Sequence, residues 1–455
     1  MNGGEVIATG GFGCVFRPAL KCKTKKKGKA SNISYISKLM KEKYALAEYN
    51  EINQIKKYVK TIPYYQNYFL LNNIYICKPD KISQKDLKNF KNVCRALPKD
   101  KITVKNINEH LDSLSLLNIP FAGLPIDDFF IKKANMNSLK IASELLLSLV
   151  ENAVVKMNQK FVFHNDLKDS NILIDEPNGK SKYEMKIIDW GMACYYKPGV
   201  TKQLPLVWLN RPFQFNNPYS IILFSGEFVK SYNDFLYFVK YKPSYDDTFE
   251  FAKKYIHFWL NKRGNGHIKF ISRIVDLIAT IDVFDFIAHY LTKILVRFTD
   301  LKSSNKSKNF QMNEYLNQVF IHNIDLWGFV TSFYSLFNIF LLNVNELNSF
   351  QVEQLRLLGE LLFYTYTTSD TKLDIQVIKN KIIKFNDLFS NYLNDSTAEG
   401  VNRFKIPKKE RSNGITGKTM EISIKNIRTS KKKKNPEKLK NIKNLKKTKK
   451  NRNYK

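Results

Sequence analysis

The chain has 455 residues, 44% of them apolar and 13% aromatic, enough to bury the core of one large domain or of two to three ordinary ones. Its 74 Lys+Arg outnumber 41 Asp+Glu, giving +33, but only 11 of the basic residues are Arg, and Lys, Asn and Ile abound as in an AT-rich coding sequence. Five cysteines, odd in number and without a C-x-x-C pair, argue against a disulfide framework or a zinc site and point to an intracellular, reducing compartment.

The opening MNGGEVIATG has no basic run followed by an apolar one, so no signal peptide is expected, and Gly3 and Gly4 miss the myristoylation position. Residues 5–16, EVIATGGFGCVF, read as strand, glycine turn, strand. After the basic turn KCKTKKKGKASN, residues 33–40 alternate as a third strand, with Ile36, Lys38 and Met40 on one face. From Tyr44 to Lys60 the spacing is helical. Segments 68–78 and 114–123 predict two further strands around a charged, partly helical insertion, giving the order β-β-β-α-β-β.

Beyond Gly123 the pattern turns helical. Residues 137–160 predict a helix capped by Asn137 or Ser138. Then come the polar stretch HNDLKDSNIL (164–173), a polar hairpin at 176–184 and the strand MKIID. Residues 219–322 are mixed and aromatic-rich, and helices resume at 323–341 and about 350–390. The window Phe329–Val344, broken by Ser332, Tyr334, Ser335 and Asn338, reads as a core helix and not a membrane span. From 396 onward the signals of order fade. Residues 403–455 hold 21 basic and 3 acidic residues, so this tail is read as disordered and strongly basic.

Four clusters carry chemistry. Gly10, Gly11 and Gly13 let a hairpin bring backbone N–H groups against phosphates, with Phe12 at the tip and Val15 facing a planar base. Alone, such a turn is commonplace. Lys38, mid-strand, is costly unless paired with phosphates and a helix carboxylate. Glu51 is the first choice of partner, because Ile52, Ile55 and Tyr58 follow it at apolar spacing; Glu48, one turn earlier, stays open. In HNDLKDSN, Asp166 can orient an attacking hydroxyl, Lys168 can neutralise a phosphoryl group and Asn171 can ligate magnesium. Asp189, ending a buried strand before Gly191, offers a hard cation a second oxygen ligand.

Taken in order, these clusters resemble a eukaryotic-type serine/threonine protein kinase. Gly10–Val15 matches the glycine-rich loop, Lys38 the strand lysine and His164–Asn171 the catalytic loop H-x-D-L-K-x-x-N. Asp189-Trp190-Gly191 matches D-F-G, and DLWGFVTSF from Asp325 matches the D-x-W-G helix start. The resemblance implies an α+β, bilobal protein-kinase-like fold. Residues 1–118 form a small β-rich lobe; 119–395 form a larger helical lobe with an insertion at about 219–322; the hinge lies near Ile119–Gly123; and 396–455 are the tail. It implies ATP with Mg2+ (Mn2+ as a substitute), protein substrates, and metal ligation by Asn171 and Asp189.

The departures are informative. Ala8 stands at the loop's first glycine, and Trp190 at the D-F-G phenylalanine. No A-P-E is visible; NRPFQFNNP (210–218) takes its place. Asn165 replaces the arginine that in many kinases pairs with a phosphorylated activation loop, so activity should not depend on that phosphate. With the insertion and the composition, these features are similar to the virion-associated kinases of poxviruses and giant DNA viruses, which would place the protein in host cytoplasm or virion. Two rival readings stay open: a small-molecule kinase of the choline or aminoglycoside kind, which Asn165 suits, and a kinase-like scaffold with weak or no catalysis. The tail is either a solvated extension or an electrostatic tether to nucleic acid or other polyanions.

Overall fold

The computed structural model describes residues 4–24, 33–176, 182–209, 211–239, 241, 243–263, 267–279, 281–300, 309–394 and 401–406. Two compact units emerge. The first comprises Met1–Leu124, Glu151–Asp166 and Asn171–Val200; the second comprises Pro125–Val150, Leu167–Ser170 and Thr201–Lys455.

The first unit is built on an antiparallel sheet of β1 (Glu5–Thr9), β2 (Gly13–Arg17), β3 (Tyr35–Lys41), β4 (Tyr75–Cys77) and β5 (Leu114–Pro120), in the order β1-β2-β3-β5-β4. Strand alternation sorts its residues onto two faces. Cys14, Phe16, Leu39, Leu114 and Leu116 point to one face, where they join Ile82, Leu87, Phe90, Leu97, Ile102 and Ile107 in a single apolar cluster. The charged insertion expected between β4 and β5 is thus a lid for that face. The other face holds the row Ala8, Val15, Lys38 and Leu117, each opposite the next across neighbouring strands. Helix α1 (Glu42–Val59) follows β3 without a loop and buries Ala45, Ile52, Ile55 and Val59 at i, i+3 and i+4 spacing.

Two disulfides tie the insertion and its flanks to the sheet, correcting the expectation that the cysteines are unpaired. Cys14 bonds Cys94 and Cys22 bonds Cys77, with Cα–Cα distances of 5.4 and 5.7 Å inside the range such bonds require. Separations of 80 and 55 residues leave no local signature, because only the closed sheet brings the partners together. Cys194 alone stays a thiol.

The first unit also includes the strand Val162–Phe163, the hairpin Ile172–Asp175 with Glu184–Ile187, and the strand Cys194–Tyr195. Residues 177–181 of the expected polar hairpin lie outside the described residues.

The second unit is mainly helical. Met136–Leu149 is capped by Asn135, whose side chain accepts from the Ser138 backbone N–H at 3.0 Å. The cap lies earlier than Asn137 or Ser138 because the third N–H of the helix needs an acceptor three residues back. The predicted helix over 137–160 is interrupted by a π-turn at Val150–Val154, and Val155–Gln159 beyond it belongs to the first unit. The insertion folds into helices Gly226–Phe238, Tyr245–Arg263, Ile268–Ile278 and Val283–Arg297. Its start, Tyr219, packs edge-on against Trp327 at 5.0 Å, while the Trp327 indole N–H donates to the Phe215 carbonyl at 3.1 Å. The helical run Met312–Leu342 is long and apolar enough to cross a bilayer, but its most apolar stretch is wholly buried, as in a core helix.

Order extends past the expected start of the tail. Val401, Phe404 and Ile406 are buried; the Phe404 N–H donates to Ala134 at 2.8 Å, and Gln351 donates to the Val401 carbonyl at 2.7 Å. Three apolar residues in six suffice to dock this strip. Residues 407–455 lie outside the described residues.

Candidate active site

The first unit brings most of the predicted site residues onto or beside one sheet face. The β1–β2 turn closes with Gly10 N–H donating to the Gly13 carbonyl at 2.8 Å. A Cβ on Gly10 would lie 3.4 Å from Lys38 Cε, so the turn roofs the lysine. At Gly13 a Cβ would come within 2.7 Å of the Leu39 carbonyl oxygen, which is why the tight hairpin needs glycine there. Gly11 has open space around it, Ala8 is exposed, and Val15 is partly buried directly opposite Lys38. Phe12 is 58% exposed yet stacks on Tyr44 of α1 at 4.5 Å.

Lys38 Nζ bonds both carboxylate oxygens of Glu48, at 2.8 and 2.7 Å. Glu48, and not Glu51, is therefore the partner. Glu48 shares the helix face of Ala45 and Ile52, three residues after one and four before the other, whereas Glu51 is rotated toward solvent. Burial acts to lower the Lys38 pKa, but Glu48 first and Asp189 second outweigh it, raising it and keeping the ammonium charged. For Glu48, burial is the largest influence and lifts the carboxyl above its ordinary range against the pull of Lys38. Burial likewise raises Glu51, with Glu48 adding to it.

The second group forms around the polar stretch. Asn171 Nδ2 donates to the Asp166 carbonyl at 2.8 Å and to Asp166 Oδ2 at 3.0 Å. With its nitrogen committed, the Asn171 amide oxygen is the donor left for a cation, and Asp189 supplies a carboxylate; this oxygen pair fits a hard divalent ion. Asp189 sits in the left-handed region at φ 62°, ending the strand and turning the chain into Trp190–Met192. His164, fully buried, reaches the Ile188 carbonyl through Nε2 at 2.9 Å and accepts the Asp166 N–H at Nδ1, 3.3 Å, so its proton is on Nε2. Trp190 is buried edge-on against His164 at 4.9 Å and Phe69 at 5.5 Å. The bulkier residue at the D-F-G phenylalanine position is thereby seated in the core of the first unit.

Asn165, also at positive φ (63°), donates from Nδ2 to the Met192 carbonyl at 2.9 Å and to Cys194 Sγ at 3.2 Å. Lys168 falls in the short segment Leu167–Ser170 that belongs to the second unit. In that unit Asp169 bonds Ser335, and burial raises its carboxyl pKa. Asp127 is pushed up to about 7, by burial first and then by Asp169 and Asp128. Neither acid was singled out from the sequence. Asp169 lay inside the quoted stretch, but nothing local marked its pairing with residues far away in the chain.

With this geometry in view, comparison with known proteins is informative. Residues 84–215 match the model of the ABC1 atypical kinase-like domain. Over 72 residues the chain is 29% identical to "Casein kinase I homolog 1" of Schizosaccharomyces pombe, covering 16% of this chain and 15% of that protein. Over 109 residues it is 27% identical to "EKC/KEOPS complex subunit BUD32" of Cryptococcus neoformans var. neoformans serotype D, covering 24% of this chain and 37% of that protein. The chain thus spans well under half the length of these curated relatives. A crystal structure of a kinase domain aligns over 84% of this chain and 94% of its own, at 13% identity and a TM-score of 0.35.

The matches support a divergent kinase. The chain itself has a small β-sheet region at its N-terminal end and a larger helical part.

Proposed function

We propose that the protein transfers the γ-phosphoryl group of ATP to Ser or Thr hydroxyls of proteins. The observation that carries this reading is the assembly, within one unit, of the Lys38–Glu48 ion pair and the Asn171–Asp166 hydrogen bonds. Glu48 holds Lys38 extended beneath the glycine turn, where its ammonium meets the nucleotide phosphates. The Gly10–Gly13 turn supplies backbone N–H groups to the same phosphates, and Val15 faces the base. Asp166, oriented by Asn171, accepts the proton of the attacking hydroxyl. Asn171 and Asp189 would hold Mg2+, or Mn2+ in its place, and the ion would supply positive charge to offset that of the phosphates. Lys168 offsets the charge of the phosphoryl group in flight.

Lys168 and the retained Gly191 favour a protein hydroxyl over a small alcohol. Asn165 favours the second reading, a small-molecule kinase of the choline or aminoglycoside type. Residues 403–455 are proposed to tether the enzyme to nucleic acid or another polyanion, and removing them should weaken retention on a phosphate resin at moderate salt. The likeness to virion-associated kinases, with a cytoplasmic or virion setting, rests on the sequence departures alone. Transfer from labelled ATP to parallel panels of proteins and amino alcohols tests the proposal. Label on Ser or Thr of proteins supports it, label on amino alcohols alone favours the second reading, and no transfer with retained ATP binding favours a scaffold.

A further inference from the structure

Helix α1 carries Glu48, and an aromatic stack lies near each of its ends. Near the start, Tyr44 stacks on Phe12 of the glycine turn at 4.5 Å and 24°. At the end, Tyr58 stacks on Tyr195 at 4.2 Å with the rings only 10° from parallel. Tyr195 is not on a free loop. Its strand pairs with Val162–Phe163 in the register Tyr195↔Val162, and the next N–H, of Tyr196, donates to Phe161 at 2.9 Å. Upstream, Asn165 holds the Met192 carbonyl, as described above.

The segment that follows Asp189 is therefore fixed by neutral hydrogen bonds, with Asn165 standing where many kinases carry an arginine that pairs with a phosphate. α1 packs against the Trp190–Met192 turn, and its last turn is pinned by the tyrosine pair. A helix is stiff along its axis, and the ten residues from Glu48 to Tyr58 span about 15 Å. Swinging Glu48 away from Lys38 as a rigid body therefore requires the Tyr58–Tyr195 rings to part. Tyr58 is 37% exposed, so the pair is at the rim of the unit and is not part of its buried core.

We propose that the Tyr58–Tyr195 stack is the positioning device that keeps Glu48 engaged with Lys38, standing in for a phosphorylated activation segment. Tyr58 and Tyr195 are positioning residues: neither touches the reacting groups, and both act through α1. This inference rests on the kinase reading above and deepens it by naming how the site is held assembled. The stack needs rings and not hydroxyls, so phenylalanine should serve at either position and alanine should not.

The test compares Tyr58→Ala, Tyr195→Ala, the double alanine variant, and Tyr58→Phe with Tyr195→Phe in the full chain. Two readouts are taken: amide hydrogen exchange of residues 42–59, and phosphoryl transfer from ATP. Aromatic pairing of this kind corresponds to a change of about three- to tenfold in an equilibrium. Each alanine variant should speed exchange around Glu48 and lower kcat/KM by about that factor, the double variant should be no worse than either single one, and phenylalanine should restore both. In a Glu48→Gln background Tyr195→Ala should add nothing, which a merely structural role would not produce. Unchanged exchange and unchanged transfer in both alanine variants would overturn the proposal, as would additive losses in the Glu48→Gln background. If the wild type transfers no phosphate yet the alanine variants still free α1, the function reading fails while the clamp stands.

Discussion

Asn171 binds Asp166 twice, through one amide nitrogen that reaches both the backbone carbonyl and the side-chain carboxylate. A five-residue separation across a 3-10 turn (Asp169–Asn171) makes this closure possible, and it fixes the carboxylate's rotamer. Asn171→Ala should therefore lower phosphoryl transfer by about a hundredfold or more and raise the Mg2+ concentration needed for half-maximal rate. A magnesium titration of variant and wild type checks both effects; an unchanged metal requirement would remove Asn171 from the ligand set.

The lysine partner gives a sharper comparison. Lys38→Met and Glu48→Gln should each weaken transfer at least about tenfold, whereas Glu51→Gln should stay close to wild type. Steady-state kinetics with varied ATP separates them. A larger loss for Glu51→Gln than for Glu48→Gln would contradict the observed pairing.

Four of the five cysteines are paired, so a thiol titration in denaturant without reductant should count one thiol per chain, that of Cys194. Five thiols would contradict the bonds. Loops of 80 and 55 residues place the stabilisation from each bridge at roughly 4 kcal/mol in the chain-entropy account. Reductant should thus lower the melting temperature of the first unit by several degrees or more, and Cys14→Ser with Cys94→Ser should reproduce part of that fall.

Asp127 links stability to pH. Its carboxyl is pushed up to about 7 in the folded protein from an ordinary value of 3.8, so between these values the folded state holds a proton that the unfolded state has released. Stability from this group is therefore highest in acid and is lost as pH rises toward 7. Among the described residues its Oδ1 has no hydrogen-bond partner, as suits a neutral acid better than a buried anion. Asp127→Asn should stabilise the fold by roughly 2 kcal/mol at pH 8, have little effect near pH 4, and flatten the pH dependence in between. Denaturant melts across that range measure it.

Much of the site could be read from the sequence because its parts are local. The Gly10–Gly13 turn, the strand bearing Lys38 and the Asp166–Asn171 stretch each occupy a few consecutive residues whose spacing dictates their geometry. The chain order β-β-β-α-β-β was legible too, but the sheet order β1-β2-β3-β5-β4 was not, because β5 inserts between β3 and β4 by long-range pairing. What escaped depends on residues far apart. Glu51 looked the better partner from its apolar followers, but the helix face is set by Ala45 as well as by Ile52, and that face selects Glu48. The Cys14–Cys94 bond, the Tyr58–Tyr195 stack and the Asp127–Asp169 coupling join positions that only the folded chain brings together.

The most direct test of the account is single-turnover transfer from γ-labelled ATP by the wild type and by Asp166→Asn, with ATP binding measured on both. The wild type should label Ser and Thr of protein substrates. Asp166→Asn should bind ATP within about threefold of wild type but transfer at least about a hundredfold more slowly, since it keeps the phosphate site and loses the proton acceptor. Transfer by Asp166→Asn at the wild-type rate would contradict the assignment of this site.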